Sequence, residues 1–309
     1  MNQNECFLTN VSVATVWKRP DSVRQVDKKA IKNPCDILGW LGDMSKDENI
    51  ALCRENRLET QLLFGEEFLV EKIGDGWAYG YAIMQPSSKD SRGYPGYVPA
   101  SQLVQKPSNW DNQPNWVIVK EDRVPLYDQK GEMITILSMG TSLPVIDEGD
   151  RYVNVLTPTS EIGYLDRKNI AFEKIMPFSG QTIIKIAERY LDLPYLWAGM
   201  SSYGFDCSGF SYSLYRMFGK RIPRDAHDQA ITGEEVKLGE EKPGDLLFFA
   251  YEEGRGTIHH VGIYYGDGKM IHSPTPGKKI EVTELKGTIF ERECCSIRRY
   301  LKESEVNAS

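Results

Sequence analysis

The period of the hydrophobic pattern changes near residue 179, and that change limits the possible folds more than any other feature of the chain. Before it, apolar residues come in short runs broken by Gly and Pro. After it, they recur first at helical spacing and only later in strand-like runs. A single small domain does not carry such a pattern, and 309 residues suffice for two or three domains with separate cores.

Residues 1–106 read as a β-rich module with a helical insertion. Val11-Ser12-Val13-Ala14-Thr15-Val16-Trp17 is strand-like. From Pro34 to about Arg57, Ile37, Leu38, Leu41 and Met44 fall at helical spacing. Gln61–Glu66, Phe68-Leu69-Val70, Gly76-Trp77-Ala78-Tyr79 and Gly96-Tyr97-Val98-Pro99 then make short strands of the kind that close a small antiparallel barrel. Residues 107–174 repeat the theme with Val124–Tyr127, Ser142–Ile146, Arg151–Val155 and Gly163–Asp166. In both segments an aromatic strand is followed by a Gly-Tyr-Val/Leu strand at a similar gap, which indicates an internal repeat.

In residues 175–309, Ile183, Ile184, Ala187 and Leu191 share a helical face, and Leu193-Pro194 ends that helix. A second helix starts at Cys207, turns Phe210, Leu214, Met217 and Phe218 inward and closes at Gly219. Strands follow at Leu246–Phe249, Val261–Tyr265 and Met270–His272. Helices first and sheet afterwards is an α+β order.

Composition removes several functions. The net charge is −7 and the pI near 5.3, with no basic stripe of the kind that neutralises phosphates, so nucleic acid is not the expected partner. No apolar run approaches the ~20 residues needed to span a bilayer, so no membrane partner is expected either. The N-terminus lacks the basic start and apolar core of a secretory leader. The six cysteines (6, 35, 53, 207, 294, 295) form no CxxC pattern and read as reduced thiols. The expectation is a cytoplasmic protein, or a secreted one if a leader has been removed.

The chemistry centres on Asp206-Cys207-Ser208-Gly209-Phe210. A cysteine in the first turn of a helix faces unpaired backbone N–H groups and the positive end of the dipole, which should lower its pKa. It needs a base, and there are four histidines: 227, 259, 260 and 272. His260 opens one strand and His272 lies on the next, the arrangement in which one imidazole serves a thiol and a third polar group orients it. His259 should face the other side of its strand. His227 reads as a surface residue.

Five motifs occur in one order: Gly-Phe-Asp-Cys-Ser-Gly-Phe (204–210), Arg-Asp-Ala-x-x-Gln (224–229), Pro-Gly-Asp-Leu-Leu-Phe-Phe (243–249), His-Val-Gly-Ile-Tyr (260–264) and Met-Ile-His-Ser (270–273). Together they resemble the NlpC-type family of papain-like cell-wall cysteine peptidases, over roughly residues 179–300. The first two segments resemble bacterial SH3-like domains. Val11–Trp17, Asn33-Pro34 and Gly-Tyr-Pro-Gly-Tyr-Val-Pro (93–99) narrow the likeness to the YkfC-like γ-D-glutamyl-L-diamino acid endopeptidases. The fold so implied is multidomain: two SH3-like β-barrels (1–106 and 107–174) followed by an α+β papain-like catalytic domain (175–309).

The resemblance assigns Cys207 as nucleophile, His260 (the histidine directly followed by Val) as base, and His272 as the residue orienting it. It marks Tyr195 as an oxyanion or substrate contact and places Trp197 beside it in the substrate site. It implies that Asp206 and Ser208 hold the free amine of an N-terminal L-Ala. It also implies that a tyrosine of the first SH3-like domain closes the site: Tyr94, with Tyr97 and Tyr81 as alternatives. The residues leave two roles open for Asp206, amine partner or N-cap of its helix. Tyr94 could equally pack in its own barrel. Arg224 and Asp225 read as a structural pair.

The expected activity is hydrolysis of the bond between D-Glu and lysine or diaminopimelate in murein peptides such as L-Ala-γ-D-Glu-L-diamino acid, during cell-wall recycling. Cysteine chemistry of this kind requires no metal or organic cofactor. The alternatives are a murein-binding protein with an inactive catalytic domain and an acyltransferase using the same Cys–His pair. Strand parity adds a geometric expectation. His260 and His272 share a face if the intervening hairpin has a three-residue loop, Gly266-Asp267-Gly268, with Gly268 left-handed; a two-residue turn would separate them unless a bulge intervenes.

Overall fold

A computed structural model describes residues 5–172 and 179–300. It divides into two compact units. One takes in the described residues up to Met84, those from Lys89 to Phe172, and Met200–Tyr203. The other takes in Gln85–Ser88, residues 179–199 and those from Gly204 onward. The proposed boundary at 174/175 lies outside the described residues. Among the described residues no helix is long and apolar enough to cross a membrane.

The first unit contains two β-rich domains. The first of these has β1 (Glu5–Thr9), β2 (Val13–Trp17), α1 (Ile37–Asp43), α2 (Lys46–Arg54), β3 (Leu58–Leu63), β4 (Glu67–Gly74), β5 (Trp77–Ala82), β6 (Tyr94–Pro99) and β7 (Leu103–Gln105). The second has β8 (Trp116–Val119), β9 (Arg123–Tyr127), β10 (Met133–Ser138), β11 (Ser142–Glu148), β12 (Tyr152–Leu156), β13 (Ile162–Asp166) and β14 (Ile170–Phe172). The strand orders are β3-β2-β6-β5-β4-β1-β7 and β10-β9-β13-β12-β11-β8-β14. Adding seven to each strand of the first sheet gives the second, so the faint repeat in the sequence is a full repeat of topology.

The first core gathers Phe7, Val16, Leu62, Phe68 and Val98. Leu8 and Phe64 instead join the second core, beside Trp110, Leu143 and Val155, and this shared apolar surface makes one unit of two barrels. The helical insertion is two helices, not one. Ser45 is extended and forms a capping box with Glu48, which ends the first helix and restarts the second. Ile37 and Trp40 are the buried residues of α1, while Leu38 is exposed.

Two short strands are β15 (Met200–Ser201), which belongs to the first unit, and β16 (Gly204–Phe205), which belongs to the second. The second unit continues with α3 (Gly180–Glu188), α4 (Cys207–Arg216), α5 (Ala226–Ala230), β17 (Glu234–Glu235), β18 (Leu246–Ala250), α6 (Tyr251–Gly254), β19 (Ile258–Gly266), β20 (Lys269–His272), β21 (Glu281–Glu284), α7 (Ile289–Glu293) and β22 (Cys294–Arg299). Its sheet runs β17-β22-β18-β19-β20-β21, which leaves β21 at an edge. Ser179 caps α3 by accepting from the Thr182 N–H, and Ile183, Ile184 and Ala187 are buried. The helix stops at Glu188, so Leu191 falls beyond it and is exposed, against the sequence expectation. Helix α4 packs on β19, with Phe210, Leu214 and Met217 buried.

Candidate active site

The entrance to α4 is built before the helix begins. Leu196 N donates to Phe205 O at 3.1 Å and Asp206 N to Gly199 O at 3.2 Å, which seats residues 196–199 against 204–206. A Cβ at Gly199 would lie 2.3 Å from Gly204 O, so only glycine permits this approach. Asp206 is the N-cap, its Oδ1 accepting from Gly209 N at 2.6 Å. Cys207 is therefore the first helical residue. Ser273, just after β20, donates its hydroxyl to Phe205 O at 2.8 Å and ties that strand end to the turn before the cysteine.

The sulfur of Cys207 meets the backbone N–H groups of Ser208 and Val261, and Val261 directly follows His260. The thiol is nevertheless pushed up to about 12, by burial first and by the Asp206 carboxylate second. The two N–H groups and Arg224 oppose that shift and are outweighed. The sequence had suggested a thiol acidified by its helix start. The helix terminus does act in that direction, but burial together with the Asp206 carboxylate outweighs it.

His260 pairs with Phe249 across β18 and β19 and is buried. Its Nε2 is 2.7 Å from His272 Nδ1, and His272 Nε2 is 3.0 Å from Thr283 Oγ1. The rings of Phe249 and Phe290 stand 5.8 and 5.7 Å from His260, and Phe290 stands edge-on to His272 at 5.3 Å. This apolar enclosure disfavours charge. Burial drives His260 well below the usual imidazole value, with both neighbouring histidines adding to the effect, and drives His272 down to about 4. Burial therefore favours the thiol form of Cys207 and the neutral form of both imidazoles.

The hairpin reaches this geometry by another route than the three-residue loop. Gly266 pairs with Lys269 around a two-residue turn whose Asp267 and Gly268 both have positive φ (50° and 71°), the type I′ pattern. A bulge between Tyr264 and Gly266 then restores parity, so Ile263 pairs with Ile271 and the two imidazoles share a face. His259 departs from expectation as well. Phe249 pairs with His260 and Ala250 with Ile258, so His259 is the extra residue of a second bulge. Its ring lies 6.4 Å from that of His260 and nearly parallel to it, not on the opposite face. What separates the two is their partners: His259 Nε2 is 3.1 Å from Glu293 Oε2, and its ring stacks on Tyr251 at 4.1 Å.

Asp206 is not an open carboxylate. Arg224, 1 % exposed, grips it in bidentate fashion, Nη1 to Oδ1 at 3.1 Å and Nη2 to Oδ2 at 2.6 Å, and also donates to Ser208 Oγ at 2.9 Å. The arginine that the sequence paired with Asp225 thus serves the residues flanking Cys207. Gln229 braces the same turn by donating to the carbonyls of Ser208 and Pro223. The Arg-Asp-Ala-x-x-Gln motif was visible in the sequence, but nothing in its spacing named Asp206 as the partner. Thr283 was missed entirely, having no motif around it.

Tyr195 is buried, and its N–H donates to Lys278 O at 3.0 Å. The indole Nε1 of the partly exposed Trp197 is buried and has no hydrogen-bond partner among the described residues. Tyr94 lies in the core of the first barrel, its hydroxyl 2.5 Å from Lys89 Nζ. Its packing follows the barrel reading. The Tyr97 ring lies tilted against that of Tyr79 in the same sheet, and the Tyr81 hydroxyl donates to Glu71 at 2.6 Å. Asp225, His227 and Asp228 bring ligand-type atoms within 4.8 Å of one another, with the last two hydrogen-bonded to Ser88.

Three family models match the chain: the NlpC/P60 family over residues 192–299, the YKFC SH3b2 domain over 119–172, and the bacterial dipeptidyl-peptidase Sh3 domain over 53–103. Among curated proteins, the γ-D-glutamyl-L-lysine dipeptidyl-peptidase of Bacillus subtilis (strain 168) is 43% identical over 94% of this chain and 98% of its own length. The protein of the same name from Bacillus cereus (strain ATCC 10987 / NRS 248) is 37% identical over 94% and 90%. A crystal structure of an NlpC/P60 family protein from Bacillus cereus ATCC 10987 superposes with a TM-score of 0.92 at 34% identity, covering 96% of this chain and all of that one.

Proposed function

This chain belongs to the NlpC/P60 family, in its form with two SH3b domains ahead of the catalytic domain, and from that premise we propose that it is a cysteine peptidase cutting the γ-D-Glu–L-diamino acid bond of murein-derived peptides with a free N-terminal L-Ala. The observation that carries the reading is the 2.7 Å bond from His260 Nε2 to His272. It commits one nitrogen of the base and leaves Nδ1 for the thiol beside Val261 N–H. In this reading His260 Nδ1 takes the Cys207 proton as the sulfur attacks the γ-carbonyl of D-Glu. It returns that proton to the departing amine, which leaves a thioester. Water, deprotonated by the same nitrogen, then releases L-Ala-D-Glu. The two neutral imidazoles make proton transfer part of the reaction, since the thiol is not ionised beforehand.

Asp206 and Ser208 are the proposed amine contacts, and Tyr195 and Trp197 the proposed neighbours of the scissile carbonyl. Oδ1 of Asp206 accepts from Gly209, Ser208 and Arg224, whereas Oδ2 accepts from Arg224 and is the oxygen proposed to meet the ammonium. Because Arg224 already balances the carboxylate, losing the substrate amine costs a hydrogen bond, not an unpaired buried charge. Discrimination against an N-acetylated peptide should be roughly tenfold, not several orders of magnitude. The test is incubation of the protein with L-Ala-γ-D-Glu-L-Lys and its diaminopimelate counterpart, read by mass spectrometry. Release of the free diamino acid by the wild type and not by Cys207→Ala is expected. Retention of intact peptide without cleavage would replace the reading by a binding function.

A further inference from the structure

The edge strand β21 supplies no residue to the Cys207–His260–His272 arrangement, yet two of its side chains reach it. His272 pairs with Glu281 across β20 and β21, and Met270 with Thr283, so 281 and 283 lie on the face that His272 occupies. Thr283 Oγ1 is 3.0 Å from His272 Nε2, and a Glu281 carboxylate oxygen is 3.8 Å from the same nitrogen. We propose that Thr283 and Glu281 are positioning residues that fix the direction of the proton chain and so leave His260 Nδ1 bare toward the thiol. The inference rests on the Cys–His reading above and extends it by one strand.

A chain of two neutral imidazoles has two self-consistent proton arrangements. In one, His260 Nε2–H donates to His272 Nδ1 and His272 Nε2–H donates to Thr283, which leaves His260 Nδ1 with its lone pair. In the other, the Thr283 hydroxyl donates to His272 Nε2, His272 Nδ1–H donates to His260 Nε2, and His260 carries its proton on Nδ1, where it cannot take one from sulfur. The 2.7 Å contact is the same in both. What separates them is the partner at the far end. A carboxylate accepts and never donates, so Glu281 beside Nε2 favours a proton on that nitrogen. Thr283, β-branched and stiff at χ1 on a strand, holds the acceptor oxygen in line. Thr283 anchors the end of the chain and Glu281 selects its direction.

Long-range 15N–1H correlation NMR on histidine-labelled protein reports which nitrogen of each ring is protonated, and only four histidines need resolving. His260 and His272 are expected as Nε2–H tautomers in the wild type. Thr283→Val should lower kcat roughly tenfold, the loss typical of one hydrogen bond, with KM unchanged, and Thr283→Ser should restore it. Glu281→Lys, on an exposed side chain, should shift His272 toward the Nδ1–H form and slow iodoacetamide alkylation of Cys207 roughly tenfold. An Nδ1–H His272 in the wild type overturns the proposal, as do Thr283→Val and Glu281→Lys variants with wild-type tautomers and rates. The tautomer and alkylation readouts need no peptide, so they decide this question even if the wild type were to cut none.

Discussion

Replacing Arg224 by glutamine removes one half of an ion pair that has almost no access to water. Arg224 is 1 % exposed and Asp206 is 6 % exposed. The lost contacts are the two Arg224–Asp206 bonds at 3.1 and 2.6 Å and the bond to Ser208 Oγ at 2.9 Å. Breaking one side of such a buried pair costs about 3–5 kcal/mol, because the remaining charge stays desolvated. A carboxylate that rotates toward water to escape would uncap α4, at about 1 kcal/mol, and loosen the residue that precedes Cys207. Net stabilities are about 5–15 kcal/mol, so the loss is a large share of the catalytic unit's total. At roughly 3–5 °C per kcal/mol for a unit of this size, its transition should fall by about 10–20 °C. Calorimetry is the suitable assay, since two units can unfold separately. Arg224→Lys keeps the charge but loses the planar fork and should fall in between. The double variant Asp206→Asn/Arg224→Gln leaves no stranded charge and should recover at least half of the deficit. A single-variant loss below about 1 kcal/mol, or a double variant no better than the single, would refute the reasoning.

Further outcomes follow from the same geometry. His272 is held at about 4 when folded against about 6.5 unfolded, so the unfolded chain binds the extra proton between those values. Stability is therefore full above pH ~6.5 and falls as pH drops toward 4, by up to about 3 kcal/mol for this residue, and a pH series of thermal melts on His272→Gln should show that slope reduced. His260 is displaced in the same direction, so the acid limb of kcat/KM should lie below the ordinary imidazole range; a limb at or above it would contradict the aromatic enclosure. Ala198 sits at φ 60°, where an L-residue costs about 1–2 kcal/mol, and Ala198→Gly should raise stability by about 0.5 kcal/mol after the entropy of glycine is subtracted, as read by denaturant midpoint. Peptide hydrolysis should vanish in His260→Ala and persist in His259→Ala, whose ring serves Glu293 and Tyr251.

The elements with strong local signals were legible in the chain. Helix α4 with Phe210, Leu214 and Met217 inside, and the strands around His260 and His272, follow from period and punctuation alone. The shared face of the two imidazoles followed from parity, but the turn itself did not, because a bulge and a two-residue loop give the same register as a longer loop. His259 defeated the alternation rule for the same reason. The thiol pKa departs from the expectation because a helix start is a local feature, whereas burial is set by how the whole domain packs around the sulfur. Arg224 and Thr283 lie 18 and 11 positions from the groups they hold. Pairings of that kind are set by tertiary packing, and no sequence period encodes them.

The burial that favours a protonated Cys207 bears on oxidation as well as on catalysis. Peroxide and other oxidants attack thiolates far faster than thiols, and the first product, a sulfenic acid, opens the way to irreversible forms. A nucleophile acidified to a permanent thiolate would be exposed to that loss throughout the idle life of the enzyme. Here burial and the Asp206 carboxylate favour the protonated sulfur, and burial beside Phe249 and Phe290 favours the neutral form of His260, the proposed base. In the proposed mechanism the sulfur loses its proton only as it attacks a bound peptide, so between turnovers the thiol form should slow its oxidation.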